Sequence, residues 1–81
     1  MFSVRQMKAA RALLAWSQGD LAEASGVSEP TIARLESEDS EQVGGRAETS
    51  AKLKAALEKA GVEFIPENGG GAGVRMKKRN R

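Results

Sequence analysis

The chain has 81 residues, which is enough for one small domain. Its formal net charge of +2 is too small to indicate a nucleic-acid partner by itself. It contains no cysteine and no histidine, which excludes disulfides, cysteine–histidine metal sites and the most common general base, so we expect neither catalysis nor a cofactor. No apolar run approaches the roughly 18 residues of a membrane-spanning helix, and no signal peptide is evident. We therefore expect a cytoplasmic protein with no membrane partner and no small-molecule ligand.

The first predicted helix covers residues 3–15. One of its faces is formed, at helical spacing, by Val4, Met7, Arg11 and Leu14. Alanine and leucine fill most of the remaining positions and favour a helix. Ser3 has the side chain of an N-cap residue.

Two shorter helices are predicted next, joined by a tight turn. Ser17 and Asp20 have the spacing of a capping box, so a helix begins at residue 18, and Gly26 ends it in a left-handed conformation. Ser28 is the predicted cap of the third helix, and Pro30 falls in its first turn, where a missing N–H has no cost. This helix should end near residue 37.

The remainder of the chain is predicted as a polar loop, a fourth helix and a strand. The helix covers residues 49–60, with Thr49 as its cap and Gly61 as its stop. Val62, Phe64 and Ile65 favour a strand, and residues 74–76 are a candidate return strand after a glycine-rich turn. Because an isolated hairpin is only marginally stable, it must pack on the helices or pair with a second chain.

The C-terminal end is strongly basic. Five of the last seven residues carry a positive charge: Arg75, Lys77, Lys78, Arg79 and Arg81. Such a cluster is either a solvated tail or an arm that attracts phosphates. We therefore divide the chain into a helical domain at residues 1–61, a strand or hairpin extension at residues 62–76 and a disordered basic tail at residues 77–81.

The spacing within residues 18–36 carries the functional signal. The two short helices meet at a glycine, and a small side chain, Ala22, lies where they should cross. The apolar side chains of Leu21, Val27, Ile32 and Leu35 should then share one core. The outer side of the third helix is left with short or polar residues: Ser28, Glu29, Thr31, Arg34 and Ser37. A helix with such an outer side is suited to the major groove of DNA, which is about 12 Å wide.

Residues 7–36 resemble the phage-repressor and Cro family of helix-turn-helix regulators, also called the xenobiotic-response-element type. The family's small, turn and core positions are occupied here by Ala22, Gly26, Ile32 and Leu35. The resemblance implies a mainly α, lambda-repressor-like bundle of four to five helices, followed here by a C-terminal strand or hairpin. It also implies an ion pair between Arg11 and Glu36.

The resemblance further implies a DNA-binding surface. Gln18 matches a residue that contacts a phosphate and braces the third helix, and Thr31 matches one that touches the DNA backbone. Positions that face base edges are occupied by Ser28, Glu29, Pro30 and Arg34, with Ser37 at the end of the same surface. Glu29 and Pro30 differ from the amide side chains that often read adenine, which leaves Arg34, with guanine as its natural partner, as the strongest base reader.

Two functions remain open from the sequence. The first is a homodimeric, sequence-specific transcriptional regulator, expected to be a repressor acting on double-stranded DNA of the bacterial nucleoid. The second is a protein-interaction module, such as an antitoxin-like partner of a toxin, which would use the strand of Val62, Phe64 and Ile65 to extend another sheet. The same strand could instead join two copies of this chain.

Overall fold

A computed structural model describes residues 2–37, 47–66 and 70–77. The elements follow in the order α1 (Val4–Leu14), α2 (Gln18–Ser25), α3 (Glu29–Ser37), α4 (Ala47–Lys59), β1 (Val62–Ile65) and β2 (Gly73–Met76). The predicted mainly helical architecture with a C-terminal hairpin is confirmed. Within the described ranges, the helices are too short and too polar for any of them to cross a membrane.

The first two helices begin at the predicted serines. The Ser3 hydroxyl accepts from Gln6 N–H at 3.0 Å, and the Gln6 side chain accepts from Ser3 N–H at 2.8 Å, which completes a capping box. Ser17 and Asp20 form the same reciprocal pair at the start of α2. Gly26 ends α2 with φ 77°, a conformation that glycine adopts without the steric cost of a Cβ.

The start of α4 differs from the prediction. The helix begins at Ala47, so Thr49 lies inside its first turn and the prediction that Thr49 is the cap was wrong. Ala47 is a strong helix former and Glu48 suits the positive end of the helix dipole, so neither residue opposes an earlier start. The predicted polar loop at residues 38–46 lies outside the described residues, as does the predicted tail beyond Lys77.

One hydrophobic core joins all four helices to the hairpin. Its largest fully buried side chains are Phe2, Met7, Leu21, Ile32, Leu35, Leu53, Leu57, Val4 and Val62. Leu14, Trp16, Ala22, Phe64 and Val74 pack against this core from its margin. Every helix contributes at least one fully buried aliphatic side chain, so no helix is held by its loops alone.

The return strand exists, and the hairpin packs on the helices. β1 and β2 pair antiparallel with Val62 opposite Met76 and Ile65 opposite Gly73. The Phe64 ring lies on the Phe2 ring with a centroid separation of 5.0 Å, inside the range of favourable aromatic pairs. The hairpin is therefore part of the core that the helices build, as its marginal stability in isolation requires.

Gln6 joins α1 to the hairpin through hydrogen bonds. Besides its capping bond, its amide Nε2 donates to the carbonyl oxygens of Ile65 at 3.3 Å and Gly73 at 2.9 Å. These two residues are opposite one another at the end of the ladder. The side chain of Gln6 is buried, so its donors and acceptor replace water for three backbone groups.

We predict that Gln6→Glu destabilises the fold by roughly 1–3 kcal/mol at neutral pH. A glutamate retains the acceptor for Ser3 N–H but presents an anionic oxygen to the two strand carbonyls. Because a protonated carboxyl can donate again, the loss should shrink as the pH falls. Urea denaturation followed by circular dichroism at pH 7 and pH 4 measures both effects.

The matched control is Ala9→Glu, which adds the same charge at an exposed position of α1. It should change the free energy of unfolding by less than about 0.5 kcal/mol. Equal stability of the two variants at pH 7 would show that the contacts of Gln6 with the hairpin contribute nothing.

Candidate nucleic-acid interface

The candidate surface is built on the corner between α2 and α3. Gly26 reverses the chain, and Val27 is buried directly after it. Leu21 from α2 and Ile32 from α3 are both fully buried, and Ala22 is half-buried at the core margin, where a small side chain lets the helices approach. The corner therefore fixes the direction of α3 through apolar burial rather than through loop length.

The outer side of α3 faces solvent. The exposed residues of this segment are Ser28, Glu29, Pro30, Arg34 and Ser37, while Thr31 is half-buried. The inner side buries Ile32, Leu35 and Glu36. The outer side is thus not covered by the hairpin, and its residues are short or polar, with Arg34 as the one cation among them.

Local hydrogen bonds hold the hydroxyl side chains at both ends of this surface. The hydroxyls of Ser28 and Thr31 lie 2.8 Å apart, and the Ser37 hydroxyl donates to the carbonyl oxygen of Arg34 at 2.7 Å. In contrast, the Arg34 guanidinium forms no ion pair within the described part of the chain. Its planar set of N–H donors is therefore presented to solvent.

Arg11 and Glu36 form the ion pair expected from the sequence. Arg11 Nε donates to Glu36 Oε2 at 2.8 Å and Arg11 Nη2 donates to Oε1 at 2.6 Å, a bidentate arrangement. The remaining Nη1 donates to the Trp16 carbonyl oxygen at 2.9 Å. The side chain of Glu36 is 5% exposed and that of Arg11 is 19% exposed, so water screens the pair only in part.

Gln18 connects α2 to the same carboxylate. Its Nε2 donates to Glu36 Oε1 at 2.9 Å, which ties the start of α2 to the end of α3. An amide carries two N–H donors, so one donor remains for a contact outside the protein. The geometry is compatible with both roles that the resemblance implies for Gln18, bracing α3 and contacting a phosphate.

The environment of Glu36 determines its charge. Burial raises the pKa of Glu36, but hydrogen bonds from Arg11 and Gln18 and the charge of Arg11 outweigh burial and hold the pKa below its ordinary value. The same hydrogen bond raises the pKa of Arg11 against the opposing effect of burial. Both shifts favour the charged forms, so the pair is charged at neutral pH.

Gly19 also shapes the candidate surface, although the sequence alone did not indicate this. A Cβ placed on Gly19 would lie 3.3 Å from Glu29 Oε1 and 3.6 Å from the Ser17 hydroxyl oxygen. The carboxylate of Glu29 therefore lies against the first turn of α2, in space that a side chain on Gly19 would begin to fill. One feature of the sequence could have drawn attention to Gly19. A glycine in the first turn of a short helix lowers helix propensity, so its presence there suggests that another group needs the space.

The residues proposed for a dimer strand have different environments. The side chain of Val62 is fully buried and that of Phe64 packs on Phe2, so both face the core of their own chain. Ile65 is half-buried. Because Lys77 N–H donates to Gly61 C=O and bonded pairs alternate along an antiparallel ladder, the backbone groups of Val62 and Phe64 point away from β2. This outer edge has no strand partner among the described residues.

We predict that Arg11→Met lowers the free energy of unfolding by roughly 2–4 kcal/mol at pH 7, because it leaves the Glu36 carboxylate buried without its guanidinium. The lowered pKa of Glu36 means that the pair stabilises the fold fully above about pH 4.3, the ordinary glutamate pKa, and loses this effect as the pH falls through the lower folded value. The penalty of the substitution should therefore shrink in acid. Urea denaturation at pH 7 and pH 3 measures it.

Lys52→Met is the matched control, because it removes a cation from the exposed pair with Glu48, whose atoms are 3.5 Å apart. Its effect should be close to zero at both pH values. A penalty for Arg11→Met that is the same at pH 7 and pH 3 would show that loss of packing, rather than an unpaired carboxylate, explains the effect.

Comparison with known proteins places this geometry in a family. Residues 7–42 match the model of the helix-turn-helix family, a range that covers α1 from Met7 onwards and the whole of α2 and α3. No curated protein is significantly similar to the chain. The family consists of DNA-binding domains with a lambda-repressor-like fold and is not catalytic. Residues 7–42 are therefore a DNA-binding helix-turn-helix domain of the phage-repressor and Cro, or xenobiotic-response-element, type.

Proposed function

We propose that the chain is a sequence-specific transcriptional regulator, acting as a repressor and as a homodimer on DNA of the bacterial nucleoid. The observation that carries the proposal is the exposed, polar outer side of α3, held at a fixed angle by a core that buries Leu21, Ile32 and Leu35. A helix presented in this way can enter the major groove with its N-terminal part towards the base edges.

Each side chain of the surface has a proposed role that follows from its chemistry. Arg34, which has a free guanidinium within the described structure, donates two hydrogen bonds to O6 and N7 of a guanine. Ser28 contacts a base edge, and Pro30 packs on a thymine methyl group. The second N–H of Gln18 and the hydroxyl of Thr31 bind phosphates and set the register on the duplex.

The Ser37 hydroxyl, which already donates to the Arg34 carbonyl, remains able to accept a hydrogen bond. We propose that it accepts from a base amino group or a bridging water at the far end of α3. Its contribution is smaller than that of Arg34, because a single neutral hydrogen bond is weaker than a charged bidentate pair.

The proposed homodimer would place two α3 helices in successive major grooves, about 34 Å apart on a pseudo-palindromic site. The outer edge of β1 supports this proposal, because the backbone groups of Val62 and Phe64 lack a strand partner in the described chain. Antiparallel pairing of two such edges would satisfy both sets of groups at once. The contact would use backbone atoms and Ile65, because the side chains of Val62 and Phe64 are already engaged in the core.

We predict that selection from random duplex DNA yields a two-fold symmetric site and that Arg34→Ala weakens binding to that site by about 5- to 100-fold. The loss should be accompanied by relaxed preference at one guanine position in each half-site. Fluorescence anisotropy at several salt concentrations measures affinity and the number of phosphates neutralised.

Lys59→Ala is the matched control, because it removes one exposed cation from the last turn of α4, which is not part of the α2–α3 corner. It should reduce affinity for all sequences by a similar and small factor without relaxing any base position. If the parent protein enriches no sequence, the proposed function is wrong; if Arg34→Ala keeps every base preference, only the role of Arg34 is wrong.

We predict that the protein is dimeric at micromolar concentration and that Ile65→Lys shifts it towards monomer, because the new charge lies beside the proposed strand contact. Leu13→Lys is the control: Leu13 is 47% exposed on α1, so the same charge is added at a different apolar position. Sedimentation equilibrium of the three proteins gives the dissociation constants.

Other results would redirect the proposal. Disruption by Leu13→Lys alone would locate the dimer contact on α1. A parent protein that stays monomeric on its own, but binds DNA, would contradict the homodimer and favour the alternative in which the β1 edge pairs with a toxin-like protein. Binding through a strand edge should be much less salt-dependent than binding to DNA.

A further inference from the structure

The corner that forms the candidate DNA surface is acidic. Residues 18–37 contain one basic side chain, Arg34, and four acidic ones, a balance of 1 − 4 = −3. Glu36 is paired with Arg11, so its charge is compensated within the fold. The remaining carboxylates are those of Asp20, Glu23 and Glu29. A surface that meets phosphates gains affinity from positive charge, so this balance weakens binding to DNA of arbitrary sequence.

Glu29 is the carboxylate best placed to act on bound DNA. It is exposed and is the first residue of α3, the end that faces the base edges in the proposed complex. Its Oε1 lies against the first turn of α2, 3.3 Å from where a Cβ on Gly19 would be. Gln18, the proposed phosphate contact, is the residue immediately before Gly19. Glu29 therefore lies between the proposed base-reading and phosphate-binding positions.

The charge of Glu29 is not neutralised by any cation in the described part of the chain. No ion pair to Glu29 is formed by any described residue, unlike the carboxylates of Glu36 and Glu63. The N-terminal ends of α2 and α3 favour a carboxylate at this position, but dipoles of this kind do not cancel a full charge. Any DNA brought to this surface must therefore accommodate a negative charge beside its own phosphates.

We propose that Glu29 is a specificity-determining residue that selects a cytosine and penalises other DNA. This inference rests on the proposed function. In the major groove cytosine presents its N4 amino group alone, whereas adenine has the N7 acceptor beside its amino group, and guanine and thymine present acceptor oxygens. A carboxylate accepts a hydrogen bond only from an amino group. At adenine the N7 acceptor beside the amino group repels the second carboxylate oxygen, and at guanine or thymine the charge stays unpaired near phosphate, so the discrimination comes from repulsion as well as attraction.

The test compares Glu29→Gln, Glu29→Asp and the control Glu58→Gln, which removes an exposed carboxylate from α4. Each protein is titrated against the selected site and a scrambled duplex at several salt concentrations, after circular dichroism has shown that it is folded. Glu29→Gln should bind the scrambled duplex several-fold more tightly, with a log–log salt slope steeper by up to about 0.9. Its preference for cytosine should fall roughly tenfold.

Glu29→Asp separates charge from reach. Aspartate keeps the negative charge but is shorter by one methylene, so binding to the scrambled duplex should stay weak while binding to the selected site falls. Selection repeated with Glu29→Gln should replace cytosine at one position, because an amide pairs well with adenine.

The inference is overturned if Glu29→Gln and Glu58→Gln change binding to both duplexes equally, or if Glu29→Gln selects the same base as the parent. Either result requires a parent protein that binds a defined site. Failure of the proposed function itself would instead appear as a parent protein that selects no site at all, so the two failures are distinguishable.

Discussion

The structure depends on one carboxylate that three helices share. Glu36 at the end of α3 accepts two hydrogen bonds from Arg11 of α1 and one from Gln18 of α2. Arg11 also holds the carbonyl oxygen of Trp16, in the connection between α1 and α2. The apolar core alone would allow α3 some rotation about its own axis, because aliphatic contacts have little directionality. The charged hydrogen bonds have defined geometry and so fix which side of α3 is turned outward.

The sequence was sufficient to predict the helices and the corner between α2 and α3. Their signals are local: a capping serine, a carboxylate three residues later and a glycine stop all act within a few residues. The predicted cap of α4 was wrong for a related reason. Ala47 and Glu48 carry no stop signal, so the choice of Thr49 rested on the preference of threonine for caps, and the helix extends one turn further back.

Long-range contacts were not predictable from the sequence. The return strand was only a candidate, because the hairpin depends on distant contacts. Gln6 donates to the carbonyl oxygens of Ile65 in β1 and Gly73 in β2, which are 59 and 67 residues away in sequence. Gln6 itself looked like an ordinary polar residue of an amphipathic helix. The approach of Glu29 to Gly19 likewise depends on the angle between α2 and α3, which spacing does not specify. The resemblance supplied the expectation of the Arg11–Glu36 pair, which periodicity alone would not have given.

The position of Gln6 has a consequence for how the domain comes apart. One side chain closes the first turn of α1 and also holds the end of the β1–β2 ladder, so fraying of either element exposes donors and acceptors of the other. Local opening of the hairpin should therefore be energetically coupled to the start of α1 rather than occurring independently. A molecule that binds the hairpin would therefore also protect the backbone amide hydrogens at the start of α1 from exchange with solvent.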